Sequence, residues 1–152
     1  MLSGIEIGMI ALVVTTIAVI VSRFVVYAIR IESDSMHPSL QSGDLKLVNK
    51  LNKNYQRGDI LIFYTEEYGR DFVKRLIGLP GDKIDIQNGQ VFVNGNLLNE
   101  PYAINNSVYR GNFVVPEENF FFLGDNREAS TDSRSFENPY ISVKDIKGKV
   151  LF

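Results

Sequence analysis

The strongest constraint on the fold of this chain is a long apolar segment near its N-terminus. Residues 7–29 form a run of 23 residues with one charged side chain, Arg23, and roughly 20 apolar residues suffice for a helix to cross the hydrocarbon layer. A helix that is apolar on all sides does not suit a small soluble core, and the segment lacks the basic start and cleavage site of a secretory leader. The sequence therefore predicts a transmembrane anchor over residues 1–30 and a separate domain over residues 31–152.

The charges that flank the anchor do not fix its orientation. Only Glu6 precedes the apolar segment, whereas Arg23 and Arg30 lie near its end. The positive-inside tendency would place the C-terminal side in the cytoplasm, but a long following domain can translocate regardless of a few charges.

Composition excludes several classes of protein. The net charge is −2 and no cluster of lysine and arginine is interleaved with aromatic residues, so no nucleic-acid partner is expected. The chain has no cysteine and a single histidine, which excludes cysteine proteases and argues against Cys/His metal sites. We expect neither a metal nor a cofactor.

Short strand patterns separated by turn signals follow the anchor. They cover residues 45–51, 60–64, 71–79, 83–87, 90–93, 113–115, 120–123 and 148–152. Asn88-Gly89 is a strong hairpin signal, and the segments 113–115 and 120–123 are predicted to pair with each other. Residues 99–112 predict a loop, and residues 142–145 predict one helical turn. The predicted fold is mainly β, a compact all-β catalytic domain on a single transmembrane helix.

The segment after the anchor, residues 33–40, reads SDSMHPSL and offers a candidate nucleophile. In an extended chain Ser33 and Ser35 would share one face while Asp34 points the other way. Pro38 favours an extended backbone before it, which would hold the Ser35 side chain out near the end of a strand. A Ser-rich turn without any catalytic role is the alternative.

A serine nucleophile also needs a base. The only histidine, His37, is two residues from Ser35 and on a strand cannot easily face its hydroxyl. A Ser-His-Asp triad is therefore not expected, and a lysine is the remaining base of the right kind. With an ordinary pKa near ~10.4, a lysine would have to be buried to act as a base at neutral pH.

Four blocks of the sequence resemble boxes of the type I signal peptidases, which are membrane-bound serine proteases that remove signal peptides. Residues 33–40 resemble the Ser-x-Ser-Met-x-Pro-Thr-Leu box of that family, with Ser39 in place of Thr. Three further blocks follow in family order: RGDILIF at 57–63, VKRLIGLPGD at 73–82 and GDNREASTDSR at 124–134. The single anchor and the small domain resemble the Gram-positive form of the family.

The resemblance implies roles for individual residues. It implies that Ser35 is the nucleophile and Lys74 the general base, and the apolar Phe72 and Leu76 share the strand face of this lysine. Such neighbours are compatible with a buried, neutral lysine. For a single lysine in isolation, a solvated strand residue is the alternative.

The resemblance also implies supporting residues around this pair. Ser33 would complete the oxyanion hole beside the backbone N–H of Ser35, and the Ser130 hydroxyl would orient Lys74. An ion pair is expected to tie the 124–134 loop together, and two apolar residues to line the substrate pocket. These residues are Asp132 and Arg134 for the ion pair, and Ile31 and Met36 for the pocket.

The sequence thus predicts a membrane-anchored serine endopeptidase that removes signal peptides from translocated preproteins after small-x-small sites such as Ala-x-Ala. By the resemblance, the protein is expected to span the cell membrane once, with its catalytic domain on the extracellular side. It is also expected to be a monomer. Its expected partners are preprotein signal peptides and membrane lipid.

Three alternatives remain, of which two are not enzymes and one shares the Ser-Lys chemistry. The main one is a signal-peptidase-like assembly factor that no longer cleaves, for example in pilus biogenesis. A self-cleaving Ser-Lys regulator of the LexA type would need a DNA-binding domain where this chain has its anchor. A tethered β domain that only binds a partner would leave the four blocks unexplained.

Overall fold

The structure is a computed structural model that describes residues 3–104 and 108–152. Within that part of the chain, one helix precedes a series of short strands and two 3₁₀ turns. In chain order they are α1 (Gly4–Phe24), β1 (Val26–Arg30), the first 3₁₀ turn (Asp34–Met36), β2 (Leu45–Asn49), β3 (Ile60–Thr65), β4 (Arg70–Gly78), β5 (Lys83–Gln87), β6 (Gln90–Val93), β7 (Asn96–Leu97), β8 (Gly111–Val114), β9 (Asn119–Leu123), β10 (Ile141–Ser142), the second 3₁₀ turn (Val143–Asp145) and β11 (Ile146–Leu151).

The described strands form two antiparallel sheets. The larger has seven strands in the order β1-β2-β11-β3-β4-β9-β10, and the smaller has four in the order β7-β6-β5-β8. Three clusters of buried apolar side chains pack on these sheets. The predicted fold class, mainly β behind one N-terminal helix, is confirmed.

Helix α1 begins with a capped first turn and remains separate from the core. The Ser3 hydroxyl accepts from the backbone N–H of Glu6, and the Glu6 carboxylate accepts from the backbone N–H of Ser3 at 2.7 Å, so the end groups are paired. The window Gly4–Val21 has a mean hydropathy of 2.4 and 0% of it is buried by the rest of the chain. By length and composition α1 is able to cross a membrane.

The helix is shorter than the apolar segment of the sequence. It ends at Phe24, and Val26–Arg30 form β1, which pairs antiparallel with β2. The prediction that one membrane segment continues through residue 29 is therefore wrong for these last residues. They are rich in β-branched and aromatic side chains, which favour a pleated surface, and Tyr27 and Ile29 pack against a buried cluster of the β domain. Residues 1–2 of the predicted anchor lie outside the described residues.

Several local predictions are confirmed. Strands β5 and β6 have the predicted bounds, and they are joined by Asn88 and Gly89 with φ of 51° and 80°, as a two-residue hairpin turn with positive φ requires. The predicted helical turn is the second 3₁₀ turn, in which the Ser142 hydroxyl accepts from the backbone N–H of Lys144 at 3.3 Å.

The predicted pairing of residues 113–115 with 120–123 is wrong. Strand β8 pairs with β5 in the small sheet, whereas β9 pairs with β4 and β10 in the large one. Phe113 extends the apolar face of the small sheet, while β9 is buried on both faces and therefore takes an inner position. Residues 105–107 of the predicted loop lie outside the described residues.

Gly78 lies where the two sheets meet. The register between β4 and β9 shifts between Leu76 and Gly78, and β4 then turns toward the small sheet. A Cβ added at Gly78 would lie 2.8 Å from Cβ of Phe121 and 2.8 Å from Cγ2 of Val115. Close packing at this junction therefore requires a residue without a side chain.

We expect Gly78→Ala to lower the free energy of unfolding by about 1–3 kcal/mol, because the added methyl group overpacks the junction of the two sheets. Thermal or urea unfolding of the full chain in detergent would measure this. Gly8→Ala in α1 is the matched control, because an added Cβ there has no atom within 4 Å. Equal unfolding midpoints for both variants would contradict the packing argument.

Candidate active site

Ser35 lies in a tight turn rather than on a strand. Asp34–Met36 form the first 3₁₀ turn, closed by a hydrogen bond from the His37 N–H to the Asp34 carbonyl at 3.0 Å. The predicted extended backbone is therefore wrong from residue 34 onward, because Ser and Asp readily form turns of this kind. The two hydroxyls nevertheless meet, with Ser33 Oγ 3.1 Å from Ser35 Oγ. Asp34 is exposed.

Lys74 approaches Ser35 from the middle of β4. Its Nζ donates to Ser35 Oγ at 2.5 Å, and the residues are only 3% and 5% exposed. Phe72 and Leu76 lie on the same strand face as Lys74 and are also buried, and Lys74 Nζ is 5.6 Å from the centroid of the Phe72 ring. Strand alternation thus places the lysine among apolar side chains, as the sequence predicted.

Burial lowers the pKa of Lys74 from 10.5 to about 8. Desolvation is the largest cause, because a buried ammonium loses its hydration. Among the charges nearby, Asp132 and Asp125 raise the pKa, whereas Arg70 and Arg134 lower it further. A useful fraction of the lysine is therefore neutral near neutral pH and able to accept a proton.

The predicted ion pair in the 124–134 loop is present. Arg134 Nε donates to Asp132 Oδ1 at 2.8 Å, and the two side chains are 8% and 0% exposed. The Asp132 carboxylate also accepts from the backbone N–H of Gly124 at 2.9 Å. This pair therefore joins the two ends of the loop that covers Lys74.

Ser130 lies in this loop with its hydroxyl buried. Its Oγ has no hydrogen-bond partner among the described residues, so the structure does not contain the bond to Lys74 that the resemblance implies. The hydroxyl instead packs against Gly124. A Cβ added at Gly124 would clash with the Ser130 side chain and would lie 2.6 Å from the Ser35 carbonyl oxygen. An orienting role for Ser130 stays a prediction.

A second ion pair, which was not predicted from the sequence, supports the Ser35 turn on the side opposite Lys74. The Arg75 guanidinium binds both carboxylate oxygens of Asp125, at 2.7 and 2.6 Å, and donates to Ser39 Oγ at 2.9 Å. The next residue, Asn126, donates its backbone N–H to the Ser35 carbonyl at 3.1 Å. Strand alternation offered one signal, because it puts Arg75 on the face of β4 opposite Lys74.

A cavity of about 670 Å³ opens beside Ser35 and Lys74. Ile31 and Met36, the predicted pocket residues, are both buried and line it, together with apolar side chains from β3 and β4. β4 is paired with β3 over Arg70 to Arg75 but with β9 only from Arg75 onward. One edge of its N-terminal half is therefore open beside the cavity.

Burial of a protonated Lys74 is expected to lower the stability of the fold. We expect Lys74→Met to raise the free energy of unfolding at pH 7 by about 3 kcal/mol, because each unit by which folding lowers the pKa costs about 1.36 kcal/mol when the lysine is protonated. Between pH 8 and 10.5 the unfolded chain binds this proton and the folded chain does not. Wild-type stability therefore rises across that window, and the gap between the two proteins narrows.

Urea unfolding of both proteins in detergent at several pH values checks this expectation. Lys83→Met is the matched control, since Lys83 lies on strand β5 and is exposed. A gap between Lys74→Met and wild type that stays constant from pH 7 to 10.5 would contradict the assignment of a desolvated lysine.

Comparisons with known proteins agree with this geometry. The family model described as "Signal peptidase, peptidase S26" matches residues 4–152. Signal peptidase I P of Bacillus subtilis subsp. natto is 36% identical over 147 residues, covering 88% of this chain and 79% of that protein. Signal peptidase IB of Staphylococcus aureus (strain Mu50) is 34% identical over 155 residues, covering 88% and 80%.

A solved structure is similar as well. The crystal structure of a signal peptidase I from Enterococcus faecalis V583 matches with a TM-score of 0.55 and 32% sequence identity, covering 64% of this chain and 97% of that one. The family model and the relatives together span almost the whole described chain, including both residues of the Ser35–Lys74 contact. This chain therefore belongs to the signal peptidase I family of S26 peptidases, which remove signal peptides.

Proposed function

We propose that this protein is a membrane-anchored serine endopeptidase in which Ser35 and Lys74 form the catalytic dyad. The observation that carries the proposal is the 2.5 Å contact between Lys74 Nζ and Ser35 Oγ inside a buried, largely apolar site. Burial lowers the pKa of Lys74 to about 8, which supports a base that is neutral often enough to accept the hydroxyl proton.

In the first half of the reaction, neutral Lys74 takes the Ser35 proton as Oγ attacks the scissile carbonyl. The tetrahedral intermediate then collapses: the C–N bond breaks, the new ammonium of Lys74 returns its proton to the leaving amine, and an acyl-enzyme remains. In the second half, Lys74 takes a proton from water as that water attacks the ester. Collapse releases the signal peptide and returns the proton to Ser35.

Ser33 would stabilise the charge that develops on the carbonyl oxygen. Its hydroxyl is exposed on the cavity side and 3.1 Å from Ser35 Oγ, close enough to donate to an oxygen on a carbon bound to Ser35. Together with the Ser35 backbone N–H, it would form an oxyanion hole. A buried Ser130 hydroxyl packed against Gly124 supports a contribution to the shape of the base pocket.

The open edge of β4 supports recognition of an extended substrate. A peptide strand there would form main-chain hydrogen bonds to β4, while its alternate side chains point to the apolar floor formed by Ile31 and Met36. Small side chains at alternate positions suit a shallow floor of this kind. We therefore propose cleavage after small-x-small sites such as Ala-x-Ala.

Helix α1 would hold this site at the bilayer surface. Its apolar, unburied length supports a single membrane crossing and contact with lipid. Since signal peptides of translocated preproteins become accessible on the extracellular side, we propose that the catalytic domain lies there. One chain supplies both residues of the dyad, which supports an active monomer.

Cleavage of a synthetic preprotein with an Ala-x-Ala site tests the dyad. We expect Ser35→Ala and Lys74→Ala each to lower kcat by at least about 10³-fold, because the residues act as one unit. Lys83→Ala, a strand lysine away from the cavity, should cleave like the wild type. If folded wild type is inert, the proposed activity fails; if Lys74→Ala remains active, another group is the base.

The pH dependence of kcat/KM tests the state of the base. Because only neutral Lys74 accepts the proton, we expect the rate to rise about tenfold per pH unit below the pKa and to level off above about 8. Initial rates between pH 5.5 and 10.5 would show this. A rate that climbs only near pH 10 would contradict a desolvated base.

A further inference from the structure

Arg70, the first residue of β4, lies at the rim of the cavity without a carboxylate partner. Its side chain is exposed, and it forms no ion pair with any carboxylate of the described residues. The neighbouring cation on the rim, Lys147, behaves differently, because it is paired with Asp71 at 2.7 Å. Arg70 therefore keeps its hydrogen-bonding capacity free on the side that faces the cavity.

Two aromatic rings hold this arginine in place. Its guanidinium carbon lies 4.8 Å from the centroid of the Phe72 ring and 5.9 Å from that of Tyr68. Contact with ring faces restrains a side chain that is otherwise costly to immobilise. A guanidinium held in this way presents its N–H groups as a fork suited to a carboxylate.

The position of Arg70 relative to the dyad follows from strand geometry. Arg70, Phe72 and Lys74 alternate along β4 and share one face, and the Phe72 ring contacts both cations, with Lys74 Nζ 5.6 Å from its centroid. A peptide along the open edge of β4 advances roughly 3.3 Å per residue. Arg70 then lies beside a residue roughly three to four positions from the scissile bond.

The remaining charges of the cavity favour an acidic ligand. Besides Arg70 and the neutralised pair of Asp71 and Lys147, the walls carry Arg30 and Glu32. Neither of these forms an ion pair within the described part of the chain. Apart from Lys74, the rim therefore has one more unpaired cation than unpaired anion, and of these unpaired cations Arg70 is the one on β4, along whose open edge the peptide would lie.

We propose that Arg70 is a specificity residue that binds an aspartate or glutamate side chain of the preprotein, roughly three to four residues from the scissile bond. This inference rests on the proposed peptidase function, because it needs a peptide along the open edge of β4. Ile31 and Met36 would then select small side chains at the bond itself, while Arg70 selects charge farther along the same peptide.

Paired substrates test this subsite. In a synthetic Ala-x-Ala preprotein, Asp or Asn is placed at the fourth residue before the scissile bond, or at the third or fourth residue after it, one position at a time, so that the Ala-x-Ala site itself stays intact. At one or more of these positions, we expect wild type to show about fivefold higher kcat/KM for Asp than for Asn, the size of an exposed ion pair. Arg70 also lowers the pKa of Lys74, but this effect cancels in the ratio. Both substrates are compared on the same enzyme, and kcat/KM reports the pKa of the free enzyme, which is the same for both.

Variants of Arg70 assign the preference to this side chain. Arg70→Gln should bring the Asp/Asn ratio at that position to about one, and Arg70→Glu should favour a substrate with Lys there. Arg110→Gln, an exposed arginine that bonds Asn88 on the small sheet, is the matched control and should keep the wild-type ratio.

The possible outcomes separate the two proposals. Equal rates for Asp and Asn at every position, with normal cleavage of the Asn substrates, would overturn the inference about Arg70 and leave the peptidase function intact. A preference that persists in Arg70→Gln would overturn it as well. Failure of wild type to cleave any of these substrates would overturn the proposed function and, with it, the subsite.

Discussion

The burial of one lysine against one serine is the interaction on which the rest of this structure depends. Lys74 must lose most of its hydration for its pKa to fall to about 8, and that desolvation costs about 3 kcal/mol of stability when the lysine is protonated. The surrounding fold offsets this cost with a tight aromatic cluster, in which Phe63 lies between Phe72 and Phe122 at centroid distances of 6.1 and 4.4 Å. The site is thus stabilised by packing elsewhere on the same sheet.

Two adjacent residues of β4, Lys74 and Arg75, lie in opposite electrostatic environments. Lys74 faces an apolar environment with Ser35 as its partner, whereas Arg75, on the other face, forms an ion pair with Asp125. The two faces meet at the Ser35 turn, since Ser35 contacts Lys74 through its hydroxyl and Asn126 through its carbonyl. One strand therefore supplies the proposed base and also anchors the loop that fixes the proposed nucleophile.

The sequence predicted the parts of this protein that depend on local patterns. The hairpin at Asn88-Gly89, the strand face shared by Phe72 and Lys74, and the Asp132–Arg134 pair all follow from short-range spacing or from the family resemblance, and the structure contains them. The errors arose where long-range packing decides. Residues 26–29 continue the apolar run of the helix before them, and their pairing with β2 is a long-range contact that the run itself does not reveal.

The other errors have the same origin. The sequence of residues 113–123 does not show that β8 and β9 belong to different sheets. Their partners, β5 and β4, lie far from them along the chain, so local patterns carry no information on the pairing. Arg75 likewise meets Asp125 across a separation of 50 residues. The turn at Ser35 is closed by a local backbone hydrogen bond between His37 and Asp34. The Ser-x-Ser spacing of the sequence is compatible with both a turn and an extended segment, so it cannot predict this bond.

The junction between α1 and β1 sets a length scale for the enzyme. Only Val25 separates the helix from the strand, and ten residues lead from Val25 to Ser35, so the nucleophile cannot lie more than roughly 35 Å from the helix end. Because β1 is paired along β2, this span is held in a fixed conformation and sets a defined distance between the helix end and Ser35. With α1 in a bilayer, two properties of a preprotein would select its cleavage site. One is the set of side chains around the scissile bond, and the other is the distance of that bond from the membrane surface.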